Sequence, residues 1–136
     1  ITNPRVVICG LNPHASDNGL IGDEENRIIK PAIERLRREF KINLDGPISS
    51  DVAIYKAKRR EYDCAIAMYH DQALIPLKFY ADFSGVNMTL GLPFIRTSPL
   101  HGTAFDIAAK PRLINPSSLI EAIKLAVKCA SNPKRD

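Results

Sequence analysis

No apolar run in the sequence approaches the roughly 20 residues that a membrane-spanning helix needs. Nor does the chain open on a signal-peptide pattern, so a cytoplasmic location is expected. Cysteine is scarce. Cys9, Cys64 and Cys129 are odd in number and lack CxxC spacing, which fits a reducing compartment and not a disulfide scaffold. Cys9 and Cys64 stand in apolar runs, where a free thiol behaves as a small hydrophobe. No aromatic side chains interleave the basic runs Arg35, Arg37, Arg38 and Lys56, Lys58, Arg59, Arg60, as a single-strand nucleic-acid binder requires. With a net charge of only +4, these runs read as solvated helix faces. A nucleic-acid partner is therefore not expected, though a phosphorylated or carboxylated small molecule would suit the charge. Internal repeats and low-complexity segments are also missing.

What is present is an ordinary globular balance in 136 residues, one domain's worth, able to bury about two-thirds of its unfolded surface. The chain opens on Ile1, directly before a strand, and reads as a single or partial domain from a longer protein. Arg5 to Leu11 is a β-branched apolar run ended by Asn12-Pro13, which predicts a buried strand feeding a loop. Asp23, Glu24 and Glu25 suit the positive end of a following helix. Ile29, Ala32, Ile33, Leu36 and Phe40 keep helical spacing, with a kink or a fresh start expected at Pro31. Gly46-Pro47 reads as a turn. Asp51 to Tyr62 reads as a second helix, capped by Ser50 or Asp51.

Cys64 to Tyr69 is a second apolar run, expected to be a buried strand ending at His70-Asp71. Val86 to Leu90 and Phe94 to Thr97 predict two more strands. Ser118 and Glu121 have capping-box spacing before a helix from Leu119 to about Ala130. This alternation predicts an α/β fold with a mainly parallel sheet flanked by helices. Ligands in such sheets sit beyond the carboxyl ends of the strands, and both His14 and His70 fall just past such ends.

Two histidines at strand ends admit a metal role, because neutral imidazole is a common metal ligand. They equally admit structural roles. Asp71 is placed either to orient His70 or to cap a helix. Arg96 lies among apolar neighbours and needs a partner. That partner is either a carboxylate or phosphate matching its planar fork or an internal ion pair. Lys78 reads as an anion contact or a surface lysine, and Asn87 as a ligand contact or a satisfied strand edge. The segment from His101 to Ala108 combines backbone donors, small residues and an acid in a loop, without the GxGxxG pattern.

Five blocks then run in order: Gly10 to Ala15 (GLNPHA), Gly22 to Glu25 (GDEE), Ala67 to Gln72 (AMYHDQ), Gly85 to Ser98 (GVNMTLGLPFIRTS) and His101 to Ala108 (HGTAFDIA). Together they resemble the signature blocks of the 4-hydroxythreonine-4-phosphate dehydrogenases. The resemblance covers nearly the whole chain and corresponds to less than half of a full-length member, its C-terminal half.

The resemblance implies a fold similar to the isocitrate and isopropylmalate dehydrogenases, as a fragment of a two-domain protein. It implies a homodimer with the active site shared between subunits. It also implies NAD-dependent oxidation and decarboxylation of 4-phosphooxy-L-threonine in vitamin B6 synthesis, assisted by a divalent cation such as zinc, magnesium, manganese or cobalt. In the family three histidines contributed by both subunits hold the metal; two match His14 and His70, and no residue here matches the third. Asp51 and Asp71 match active-site acids. Lys78, Asn87 and Arg96 match contacts to substrate phosphate and carboxylate. The block holding His101, Gly102, Thr103 and Asp106, with Asn115 beyond it, is similar to an adenosine-binding loop.

The chain departs from the family pattern at Leu100, where aspartate is usual, at Ala109 and Pro111, where glycines are usual, and at Ser16-Asp17, where Gly-Glu is commoner. Two alternatives follow: a relative acting on four-carbon sugar-acid phosphates such as threonate or erythronate phosphate, or a non-catalytic fragment. The 136 residues alone are expected to bind metal weakly and not to turn over substrate.

Overall fold

Strand β1 (Arg5–Cys9) is the central strand of a three-stranded parallel sheet of order β2-β1-β3. Side chains alternate along a strand, and here both faces are covered. Val6 and Ile8 pack with Ile33 and Leu44, while Val7 and Cys9 pack with Ala53. Helix α1 (Lys30–Phe40) supplies Ile33 and helix α2 (Ser50–Lys58) supplies Ala53. That two-sided burial is why β1 reads as an unbroken apolar run.

A computed structural model describes residues 1–131. Two compact units divide the chain, Ile1–Pro76 and a second from Leu77 onward. The first unit continues through β2 (Asn43–Ile48) and β3 (Cys64–Ile66), both parallel to β1. Gly46-Pro47 is a cis peptide inside β2, and not the turn its composition predicts. The register passes from Val7↔Asp45 to Cys9↔Ile48, so β2 carries one extra residue, a bulge. Gly46 has φ +117° there, and a Cβ on it would collide with the carbonyl oxygen of Ile8.

Several local expectations need correction. Strand β3 is three residues long and half open, with Cys64 exposed and Ile66 44% exposed. It is an edge strand, so only β1 is buried on both sides. Pro31 falls at the start of α1, after a π-helical turn over Glu25–Ile29. Glu25 does not simply face the helix dipole but is fully buried. Neither Ser50 nor Asp51 caps α2, whose N-cap is Ser49 without a side-chain bond. Arg37 is exposed, as a charged helix face predicts, and it also donates to the carbonyl of Leu44 and lies 3.5 Å from Asp45, closing the turn between α1 and β2.

Helix α3 (His70–Ala81) carries Pro76, and the unit boundary falls directly after it. In the second unit β4 (Val86–Thr89) pairs antiparallel with β5 (Arg96–Pro99), two residues later than the expected strand. Helix α4 (Ser117–Ala130) packs on this hairpin, and Thr97 Oγ1 donates to the carbonyl of Ala122 at 2.9 Å. Ser118 is not a cap. It lies buried inside α4, where its hydroxyl donates to Gly85 O and accepts from Leu100 N. The chain is thus α/β, with a parallel sheet and helices plus a separate antiparallel ribbon. Among the described residues no helix is long and apolar enough to cross a membrane.

Candidate functional site

The three parallel strands of the first unit deliver their carboxyl ends to one edge. Past β1 comes the loop holding His14, past β2 the start of α2 with Asp51, and past β3 the start of α3 with His70 and Asp71. Sheet geometry therefore gathers four of the sequence-predicted site residues at the edge where α/β proteins bind ligands.

The His14 loop is built by side-chain amides and buried acids. Asn12 Oδ1 accepts from the backbone N–H of His14 (3.0 Å) and of Ser16 (3.1 Å), while its Nδ2 donates to Ile21 O. Residues Ala15 to Asn18 all have positive φ. The glycine usual at position 16 in the resembling family fits that conformation; here a serine occupies it, 1% exposed. Glu25 Oε1 accepts from Leu11 N at 2.8 Å, and its other oxygen is buried without a hydrogen-bond partner. Gly10 lets the loop fold back, because a Cβ there would lie 2.7 Å from Ala15 Cα.

His14 Nδ1 lies 3.7 Å from Asp17 Oδ2, and His70 Nδ1 lies 2.9 Å from Asp71 Oδ1. Both rings are well exposed. A carboxylate on Nδ1 leaves Nε2 as the nitrogen open to a ligand, the arrangement that orients metal-binding histidines. Asp71 therefore touches the His70 ring while standing in the first turn of α3. Among the described residues no group of three or more His, Cys, Asp or Glu side chains is placed to hold a metal ion. Imidazole fits such an ion in kind, and two side chains would furnish only part of a coordination shell. Cys9, at the end of β1, stays out of this chemistry because burial pushes its thiol pKa up.

In the second unit Asn87 pairs with Ser98 and Thr89 with Arg96. Alternation puts Asn87 and Arg96 on one face of the ribbon. Arg96 is exposed and donates to Thr89 Oγ1 at 2.9 Å. Among the described residues it has no carboxylate partner, and the donors other than Nη1–H to Thr89 are open to an anion. Lys78, at the last turn of α3, lines a cavity of about 280 Å³ with Asp82, Phe83, Leu100, His101, Gly102 and Ser118. Arg96 is not among those lining residues. Thr103 and Asp106 lie exposed on the following loop and 3-10 turn. Asn115 Oδ1 accepts from Ser117 N.

With this geometry in place, likeness to known proteins becomes decisive. Residues 1–126 match the family described as Pyridoxal phosphate biosynthetic protein PdxA. The chain belongs to the PdxA family. The 4-hydroxythreonine-4-phosphate dehydrogenase of Xanthobacter autotrophicus is 53% identical over 99% of this chain and 38% of its own length. A crystal structure of the Klebsiella pneumoniae enzyme of that name matches with a TM-score of 0.78 and 46% identity, over 93% of this chain and 38% of that one. A terephthalate 1,2-cis-dihydrodiol dehydrogenase from Burkholderia xenovorans matches at TM-score 0.62 and 30% identity, over 95% of this chain and 40% of its own. The chain spans about two-fifths of the length of the curated relatives it matches.

Two residues with positions in this site escape a reading by residue type. Gln72 is 7% exposed and bonded at both ends of its amide, and Glu25 is fully buried. Their sequence signal is membership of the AMYHDQ and GDEE blocks, which marks them without giving either a role.

Proposed function

We propose that this chain forms the catalytic-site half of a 4-hydroxythreonine-4-phosphate dehydrogenase. The reaction would be NAD-dependent oxidation and decarboxylation of 4-phosphooxy-L-threonine in vitamin B6 synthesis. The observation that carries this reading is the convergence of His14, Asp51, His70 and Asp71 on one sheet edge, in a chain 53% identical to an enzyme of that name.

In this reading His14 and His70 hold a divalent cation (zinc, magnesium, manganese or cobalt), completed by a ligand from outside these residues. A cation held there would supply Lewis-acid chemistry and neutralise developing negative charge. Asp71 keeps the His70 ring oriented, and Asp51 is the acid on the same edge available for proton transfer. Lys78, Asn87 and Arg96 bind the substrate's phosphate and carboxylate, with Arg96 offering a two-pronged contact. NAD supplies the hydride acceptor. His101, Gly102 and Thr103 receive its adenosine portion, Asp106 its ribose hydroxyls and Asn115 its adenine edge. The wider fold is that of the isocitrate and isopropylmalate dehydrogenases, and the working protein is a cytoplasmic homodimer with a shared site.

A chimera tests the reading. These 136 residues replace the matching portion of the Xanthobacter autotrophicus enzyme, and NADH formation is followed with 4-phosphooxy-L-threonine and with threonate and erythronate phosphates. Turnover of the threonine substrate, lost in His70→Ala, supports the proposal. A preference for a sugar-acid phosphate transfers the site to that substrate class, and a folded chimera with no turnover overturns the catalytic reading.

A further inference from the structure

We propose, resting on the metal reading of His14 given above, that Asn12 is a positioning residue. Its amide fixes the His14 backbone in the loop conformation that offers the ring to a divalent cation, whichever chain supplies the other ligands. The backbone around His14 follows an unfavourable path. His14 itself has φ −100° and ψ 5°, a sparsely populated region in which many active-site residues sit. Ala15, Ser16, Asp17 and Asn18 then follow with φ of 47°, 65°, 43° and 59°. Successive left-handed residues, none of them glycine, persist only where their surroundings hold them.

Asn12 is the side chain that holds them. Its Oδ1 accepts from the N–H of His14 at 3.0 Å and of Ser16 at 3.1 Å, while its Nδ2 donates to Ile21 O at 2.8 Å. One amide thus spans the loop from its entry to its far end. The carbonyl of His14 is engaged as well, accepting from Asp17 N at 3.1 Å, and the Ser16 carbonyl accepts from Ile21 N at 3.0 Å. The peptide planes on both sides of the His14 Cα are therefore fixed, and only the side-chain torsions remain to aim the ring. The root of the loop is anchored separately, because Leu11 N–H donates to buried Glu25 at 2.8 Å. Two N–H groups need one oxygen with two lone pairs, and Ile21 O needs a donor. A primary amide carries both. Aspartate keeps the acceptor and loses the donor, whereas alanine loses both and leaves the left-handed residues without their hold.

The test uses the chimeric enzyme described above, with zinc affinity measured by chelator competition. His14→Ala comes first: if it keeps zinc at unmodified affinity, the metal reading fails and the role of Asn12 falls with it. If His14→Ala loses zinc, Asn12→Ala is expected to lower the affinity by about tenfold or more, the scale for groups that orient metal ligands. Val7→Ala is the comparison, a buried change in the same unit that costs stability in the core of the sheet, and it leaves zinc affinity unchanged. If folded Asn12→Ala keeps the unmodified affinity, or if Val7→Ala loses as much, the Asn12 proposal alone is overturned. Should Asn12→Ala not fold, hydrogen exchange on the unmodified chimera decides. Coupling is reciprocal, so zinc slows exchange at the N–H groups of His14 and Ser16, the two that Asn12 receives; unchanged exchange there with zinc bound overturns the proposal.

Discussion

His70 and Asp71, adjacent in sequence, are joined side chain to side chain, Nδ1 to Oδ1 at 2.9 Å, in the first turn of α3. In the proposed metal role the carboxylate would orient the ring and raise its strength as a ligand. Asp71→Asn preserves shape and an acceptor but removes the charge. Zinc affinity should fall about 10-fold to 100-fold, read by titration with the fold checked by circular dichroism. An unchanged affinity would mean that the pair is a helix-terminal contact and nothing more.

Arg96 is exposed on the β4–β5 ribbon with one neutral partner, Thr89. Arg96→Ala in the chimeric enzyme should weaken binding of the phosphorylated substrate by about 2 kcal/mol, as for a lost charge-assisted bond. Steady-state kinetics measure this as a rise in KM or a fall in kcat/KM. Unaltered kinetics would remove Arg96 from the substrate contacts.

Ser118 ties three elements of the second unit together through one hydroxyl. Ser118→Ala strands the Leu100 N–H and the Gly85 carbonyl at a buried point. The expected loss is about 1–3 kcal/mol, measured by urea denaturation. A variant as stable as the parent would show that water reaches both groups.

Arg5 and Asp63 form the best-bonded surface pair. The Arg5 side-chain hydrogen bond, backed by its backbone N–H, holds the Asp63 carboxyl below its usual 3.8. A depressed carboxylate pKa stabilises the fold above the unfolded value and loses that contribution as pH falls through the folded value. Melting temperatures of the parent and Asp63→Asn should therefore differ near neutrality and converge as pH drops below about 4. A gap that stays constant through that window would rule out the carboxylate as its source.

How much of this was legible from residue order depends on whether local pattern and tertiary role agree. β1 was legible because burial on both faces leaves an unbroken apolar run, and α4 because its apolar residues keep helical spacing. β2 was not: Asn43-Leu44-Asp45-Gly46-Pro47-Ile48 is punctuated like a turn, and its pairing to β1 is a long-range fact that overrides composition. α3 was hidden by Pro76 and by an apolar pattern without a clear face. At the candidate site, His14 and His70 were legible as residues past strand ends, and the resemblance supplied their partners. Gln72 and Glu25 were not. A buried amide or acid is defined by what surrounds it, and neither has a spacing of its own.

The loop that presents His14 depends on one asparagine, and the next residue protects that dependence. Asparagine ages by attack of the following backbone nitrogen on its own side chain, which yields aspartate or isoaspartate. At Asn12 the following residue is Pro13, which has no N–H, so the cyclisation route is closed where the loop's hydrogen bonds depend on the amide. Six residues later Asn18 is followed by Gly19, exposed and unhindered, the sequence in which that reaction runs most readily. Stored protein should therefore acquire its first new negative charge at Asn18, beside Asp17 and within reach of the His14 ring's environment, while the amide that shapes the loop survives.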